Sequence, residues 1–307
     1  MRLDDLDQSS NVEDRRGQSG GGGFGLPIGG GGLGIGTIVV LGLIGWALGI
    51  DPRVLIGGAE ILSGGNNSQY QQPAPRQTRT GSPSDDMGTF VSKVLGSTEM
   101  QWKAVFQEGG RTYRPPILVM YNRATPAGCG TAQSAMGPFY CPNDQKIYLD
   151  TQFFRELEDR FRGCSGKACQ FSEAYVIAHE VGHHVQNLLG VLPKVQEQQQ
   201  QVDKVEANQL QVRVELQADC LAGVWAAREN QTLQKEGKPP FIEQGDVEAA
   251  MQTASAIGDD TLQRKATGRV MPDAFTHGSA AQRQRWFMTG LREGNIAACN
   301  TFRTNNI

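Results

Sequence analysis

Histidine is scarce in this chain. Four occur in 307 residues, and three of them stand close together at His179, His183 and His184, leaving only His277 elsewhere. No two cysteines are spaced Cys-x-x-Cys, which excludes a zinc ribbon and a thioredoxin-like redox pair. Excess charge is lacking too. A formal net charge of -3 and a pI near 5.9 give no basic field to attract nucleic acid, so none is expected as a partner. Gly-x-Gly steps occur near the N-terminus, but no strand-forming run precedes them and no Gly-Lys-Ser/Thr follows. That removes a phosphate-binding loop.

Glycine is abundant, with 39 residues, and is concentrated early in the chain. Residues 1–32 read as a polar and Gly-rich segment: charged to Arg15-Arg16, then more than half glycine from Gly17 to Gly36. Leu33–Ile50 carries no charge and is densely apolar from Thr37. As a helix it would extend about 27 Å, close to the thickness of a hydrocarbon core. A buried core helix would find little to pack against between a glycine linker and Asp51-Pro52. A cleaved signal peptide would need an earlier apolar run and a basic leader. The expectation is therefore a single transmembrane helix at 33–50, a membrane partner through that helix, and N-in, C-out orientation from Arg15 and Arg16. Residues 51–85 read as a linker, poor in aliphatics and rich in Gln, Pro, Ser and Gly from 64 onward. The globular domain is expected at 86–307.

Within that region the periodicity predicts an amphipathic helix over Gly88–Phe106 and a short buried strand over Pro116–Tyr121. Two strands follow around a Pro-Asn-Asp turn in Gly137–Asp150. Helices are predicted over Thr151–Arg162, Phe171–Leu189, Val205–Asn230, 246–257 and 279–293, with a Gln-rich polar stretch after Gly190. The fold class is α+β, mainly helical, with one small sheet ahead of the helix that holds the histidines.

That helix contains His179-Glu180-x-x-His183. Positions 179 and 183 are one turn apart, so both imidazoles leave the same face. Two imidazoles make half of a tetrahedral zinc site, and Glu180 between them can reach an activated water without being a ligand. A catalytic zinc needs a third protein ligand and an open position. Glu215-Leu216-Gln217-Ala218-Asp219 offers two carboxylates four residues apart on one helical face. Glu215 is the candidate third ligand, ahead of Glu206 in its polar setting. Asp219 is the candidate acceptor for the far N–H of a metal-binding imidazole, fixing its tautomer. Glu180 is the expected general base. His277, in an irregular segment before a helix, is the candidate donor to a developing oxyanion, against the reading of a capping histidine. His184 points about a hundred degrees away from His183 and is expected to give packing or polar support. The hairpin of Gly137–Asp150 would offer a sheet edge on which a peptide substrate could lie as an added strand.

All six cysteines follow the apolar run. An exported domain would allow bridges Cys129–Cys141 and Cys164–Cys169, with Cys220–Cys299 as the remainder, while free buried cysteines remain the alternative.

Taken together, these residues resemble the bacterial putative neutral zinc metallopeptidase family. The resemblance is carried by Asn11–Gly17, Gly128-Cys129-Gly130, Gly137–Pro142, Ala174–Gly190, Glu215–Trp225, Phe275–Gly278 and Gln282–Phe287. It implies a zincin fold of the gluzincin type, Zn2+ as cofactor, ligands at His179, His183 and Glu215, and a supporting aspartate at Asp219. It also implies peptide or protein substrates, and with the anchor a place in the bacterial inner membrane with the domain outside. The loop around His277 departs from the thermolysin pattern. A membrane-tethered assembly factor with structural zinc, or an amidase acting on cell-wall peptides, are the alternative functions.

Overall fold

In a computed structural model of the chain, residues 1–17, 79–81, 83–159, 169–304 and 307 are described. Strand β1, Val12–Asp14, joins a sheet whose other strands are β2 (Arg79–Thr80), β3 (Ile117–Tyr121), β6 (Phe139–Cys141) and β7 (Lys146–Asp150). The order is β2-β1-β3-β7-β6. The neighbours β1/β3 and β3/β7 are parallel, and β2/β1 and β6/β7 are antiparallel. β3 is central, and its sequence Ile-Leu-Val-Met-Tyr is apolar without alternation because both of its faces are covered. Leu118 and Met120 face the helical core, whereas Val119 and Tyr121 pack with Tyr148, Cys141 and Ala132. Ala132 comes from a separate two-stranded hairpin, β4 (Ala124–Ala127) and β5 (Gly130–Gln133).

Eight helices stand among the described residues: α1 (Asp86–Glu108), α2 (Gln152–Asp159), α3 (Cys169–Leu188), α4 (Val191–Gln199), α5 (Lys204–Lys235), α6 (Asp246–Ala256), α7 (Asp259–Thr267) and α8 (Ala280–Glu293). Their starts are set by side-chain caps where the sequence supplies them: Asp85 for α1, Asp203 for α5, and a Ser279–Gln282 capping box for α8. α3 is buried along most of its length and packs on α5, α6, α1 and β6. Two close helix crossings fix the rest. A Cβ on Gly182 of α3 would lie 3.2 Å from Ala218 Cα of α5, and one on Gly290 of α8 would lie 1.8 Å from the Cys220 carbonyl oxygen. At Gly290 only glycine allows the backbones to approach this far, while at Gly182 a side chain would press Ala218 aside by a few tenths of an ångström; each approach brings side chains on either side of the crossing into contact.

The mainly helical α+β class with a small sheet stands, but the expected transmembrane helix is corrected. No helix among the described residues is long and apolar enough to cross a membrane, and residues 33–50 themselves lie outside the described residues. Topology argues further against a single crossing there. Such a span would leave β1 on one side of the membrane and β2 and β3 on the other, yet β1 is hydrogen-bonded to both. The N-terminal residues are bound elsewhere too. The Met1 amino group is fully buried, 2.9 Å from Asp246 of α6, and the Ser9 amide donates to the Ser92 carbonyl of α1. The folded unit thus takes in residues 1–17 and 79–81, beyond the 86–307 region expected from the sequence.

Two further differences concern elements. α4 falls on the stretch read as Gln-rich and polar, with no element assigned; glutamine is a good helix former, and Val195 is buried as its anchor. α7 and the β4/β5 hairpin were not foreseen. Cys129–Cys141 and Cys220–Cys299 are disulfides, as expected. Cys169 is also disulfide-bonded, while Cys164 lies outside the described residues.

Candidate metal centre

His179 and His183 leave α3 on one face, with ring centroids 4.7 Å apart, and Glu215 faces them from α5. Glu215 Oε2 lies 3.2 Å from His179 Nε2 and 3.4 Å from His183 Nε2. Donor atoms of the three residues all fall within 4.8 Å of one another, so together they could hold one metal ion. The Gly182–Ala218 crossing places Gly182 between the two histidines and Ala218 one turn after Glu215, and so sets their separation.

Each imidazole has its outer nitrogen engaged. His179 Nδ1 is 2.8 Å from Asp219 Oδ1. His183 Nδ1 is 2.9 Å from Gln186 Oε1, and the Gln186 amide nitrogen donates to the Val214 carbonyl at 2.7 Å. That second bond fixes which end of the amide faces His183, so Nδ1 carries the proton and donates. Both Nε2 atoms are thereby directed at Glu215 and at a shared ion, the tautomer that metal binding requires. Two imidazole nitrogens and one carboxylate oxygen are a donor set that fits zinc with a position left open.

Asp219 is wholly buried and accepts four hydrogen bonds: from His179, from Tyr175 Oη at 2.6 Å, and from Arg283 Nε and Nη2 at 2.9 Å each. Burial raises the Asp219 pKa, but the charges of Arg283 and His179 outweigh it and hold the carboxyl at about 2. In the metal-free protein burial likewise lowers His179, yet Asp219 and Glu215 carry it up to about 10. Burial opposes the ionised form of Glu215 as well, and the cationic His183 and His277 hold it well below the usual carboxylate range.

Glu180, one residue after His179, is buried to 7 % exposure. Among the described residues no hydrogen bond engages its carboxylate, so it is uncommitted beside the histidines. His277 sits in the loop between α7 and α8. Asp259 anchors that loop by accepting from the backbone amides of Thr276, His277 and Gly278 at 2.6–3.0 Å, and its other oxygen lies 3.5 Å from His277 Nδ1. The His277 side chain is about a third exposed, and the negative charge of Glu215 is among the influences that raise its pKa, after burial that lowers it. His184 turns away from the cluster: its Nε2 donates to the Arg114 carbonyl at 2.7 Å and Tyr140 Oη lies 3.1 Å from Nδ1. Burial pushes its pKa down to about 4, so it is neutral. Tyr140 belongs to β6, the edge strand, which is thus tied to the helix of the histidines.

The sequence reading named His179, Glu180, His183, Glu215, Asp219 and His277, and the structure brings the first five into one cluster with His277 in an adjoining loop. It missed Arg283, Tyr175, Gln186 and Asp259. Tyr175 is four residues before His179 and so on its face, and an arginine beside Trp286 and Phe287 needs a buried anion. Those signals pointed toward Asp219.

Residues 1–302 match a family described as "Putative neutral zinc metallopeptidase". The chain is 45% identical over 308 residues to an Escherichia coli K12 relative, uncharacterized protein YpfJ, covering 98% of this chain and 99% of the relative. It is 41% identical over 262 residues to uncharacterized protein Rv2575 of Mycobacterium tuberculosis H37Rv, covering 83% and 84% of the two chains. Uncharacterized protein Mb2605 of Mycobacterium bovis matches to the same extent. No solved structure matches. With the match extending from the first strand to the C-terminal turn, the chain belongs to the putative neutral zinc metallopeptidase family.

Proposed function

We propose that this protein hydrolyses peptide bonds with zinc held by His179, His183 and Glu215 and with Glu180 as general base. The observation that supports this most is the pairing of three converging donors with an uncommitted buried carboxylate, Glu180, on the helix of the two histidines. When bound, zinc would supply Lewis acidity toward a carbonyl oxygen and acidify a water molecule. The remaining work falls to side chains. Glu180 accepts a proton from the attacking water as its oxygen bonds to the carbonyl carbon, and returns it to the amide nitrogen as the C–N bond breaks. His277 donates a hydrogen bond to the carbonyl oxygen as that atom gains negative charge, with Asp259 fixing its loop. Asp219 keeps His179 in the tautomer whose Nε2 faces the metal. A peptide pairs with β6, the edge strand tied to α3 through Tyr140.

The disulfides, Cys129–Cys141 and Cys220–Cys299 among them, support a folded domain that works in an oxidising compartment, outside the cytoplasm. The deciding experiment measures zinc content and casein hydrolysis in the full chain and in Glu180→Gln. The variant should retain one zinc per chain and lose about 10²–10⁴-fold in rate. Absence of zinc from the unaltered chain, or full activity in the variant, would defeat the proposal.

A further inference from the structure

Glu215 is the one anionic donor in the cluster, and a carboxylate can offer a metal either one oxygen or two. Chelation through both would use the position that a substrate or water needs. Here the two oxygens are treated differently by the protein. Oε2 faces the histidines at 3.2 and 3.4 Å. Oε1 accepts a hydrogen bond of 2.9 Å from Gln211 Nε2, one turn earlier on α5. The Gln211 amide is oriented in turn, because its own oxygen accepts from Gln199 Nε2 at 3.3 Å. Gln199 also donates to the Ala207 carbonyl at 3.1 Å, so it is fixed to the start of α5.

Gln199 is the last residue of α4, which begins at Val191 with Gly190 as its cap, just beyond the helix of the histidines. Gly190 has φ +79°, the left-handed turn that folds α4 back. The chain Gln199–Gln211–Glu215 therefore links the end of the histidine helix to the carboxylate on its neighbour. The choice of an amide also has a chemical consequence. A lysine or arginine at 211 would form an ion pair with Glu215 and compete with a metal for its charge. A glutamine occupies one oxygen and leaves the negative charge intact.

We propose that Gln211, oriented by Gln199, is a positioning residue that restricts Glu215 to a single metal-binding oxygen and so preserves an open position. This rests on the reading of His179, His183 and Glu215 as ligands. The test uses the full chain, stripped of metal and reloaded with Co2+ or Zn2+, as unaltered protein and as Gln211→Met and Gln199→Met. The visible Co2+ bands report the number of donors and weaken as coordination rises. Gln211→Met should weaken those bands and raise the zinc Kd about ten-fold, as loss of a partner to a ligand does. Gln199→Met should shift the bands in the same direction by a smaller amount, and it decides the matter if Gln211→Met does not fold. Bands that superimpose on those of the unaltered chain, with zinc Kd unchanged, overturn the proposal even if the melting temperature falls. Failure of the unaltered chain to bind one Co2+ or Zn2+ overturns the ligand reading itself, which is a separate outcome.

Discussion

Arg283 meets Asp219 as a two-pronged fork, Nε on Oδ2 and Nη2 on Oδ1, both at 2.9 Å. Both groups are buried, and the crossing of α8 over α5 at Gly290 is what lets an arginine on one helix reach an aspartate on the other. The pair is an electrostatic frame for His179: the cation keeps Asp219 ionised, and ionised Asp219 keeps the imidazole oriented.

Removing one half of that frame should cost more than a surface ion pair would. Arg283→Met takes two of the four hydrogen bonds from a wholly buried carboxylate and leaves it with His179 and Tyr175, a loss of about 3–5 kcal/mol of stability. Arg283→Lys keeps a charge but not the fork, and should recover only part of the loss. Denaturant unfolding of the two variants gives the stabilities. An Arg283→Met chain as stable as the unaltered one would rule the frame out.

Zinc uptake should expel protons. In the metal-free protein His179 is raised to about 10, so near neutral pH its Nε2 is protonated and must lose that proton before it can bind a metal. Zinc affinity should therefore climb as pH rises from 6 toward 9. Calorimetry in buffers of different ionisation enthalpy would reveal the released protons, and a pH-independent affinity would refute it. The sign for stability without metal runs the other way. The raised His179 pKa gives stability that is complete below its ordinary 6.5 and fades as pH rises toward about 10. Asp219, lowered from 3.8 to about 2, gives stability that is complete above 3.8 and is lost as pH falls through about 2. The melting temperature of the stripped protein should thus peak between these limits.

A chain starting at residue 86 should fold poorly. It lacks β1, which pairs with β3 over Val12–Asp14, and it bares the edge of a central, wholly apolar strand. It also loses Met1 and Leu6 from the core. Aggregation or loss of a cooperative melting transition is the expected result, and a soluble, zinc-binding 86–307 fragment would contradict it.

The Cys220–Cys299 bridge closes a far longer loop than Cys129–Cys141, with separations of 79 and 12 residues. Chain entropy then assigns it about 4.5 kcal/mol against about 3 for the shorter bridge. Cys299→Ser should accordingly lower stability more than Cys129→Ser. Equal losses in unfolding titrations would count against the loop-length argument.

The paired histidines could be read directly because their geometry is local: four residues in a helix fix the faces of His179 and His183 without knowledge of the fold. Glu215 and Asp219 were nearly as accessible, since the same spacing recurs among apolar neighbours. Gln211 and Gln186 were not, because a single glutamine on a helix gives no sign that its amide is aimed at a ligand. β1 was hidden for a different reason. Val-Glu-Asp has neither alternation nor length, and its partner strand lies a hundred residues on. The apolar stretch at 33–50 misled in the opposite direction. Its hydropathy alone fits a membrane span, but hydropathy does not record that the segments flanking it are hydrogen-bonded to each other.

That arrangement sets an order of assembly. β1 leaves the ribosome before the other strands of its sheet; β2 can pair with it early, but its parallel partner β3 follows only at Ile117–Tyr121. The Met1 amino group must wait for Asp246, 245 residues later. At typical synthesis rates that wait is roughly 10–50 s. For that interval the Met1 amino group lacks its carboxylate partner, although the sheet can close once β7 has been made, about halfway along the chain. The centre at His179 and His183 is completed later still, because Arg283, which holds Asp219, is made after both histidines and Glu215.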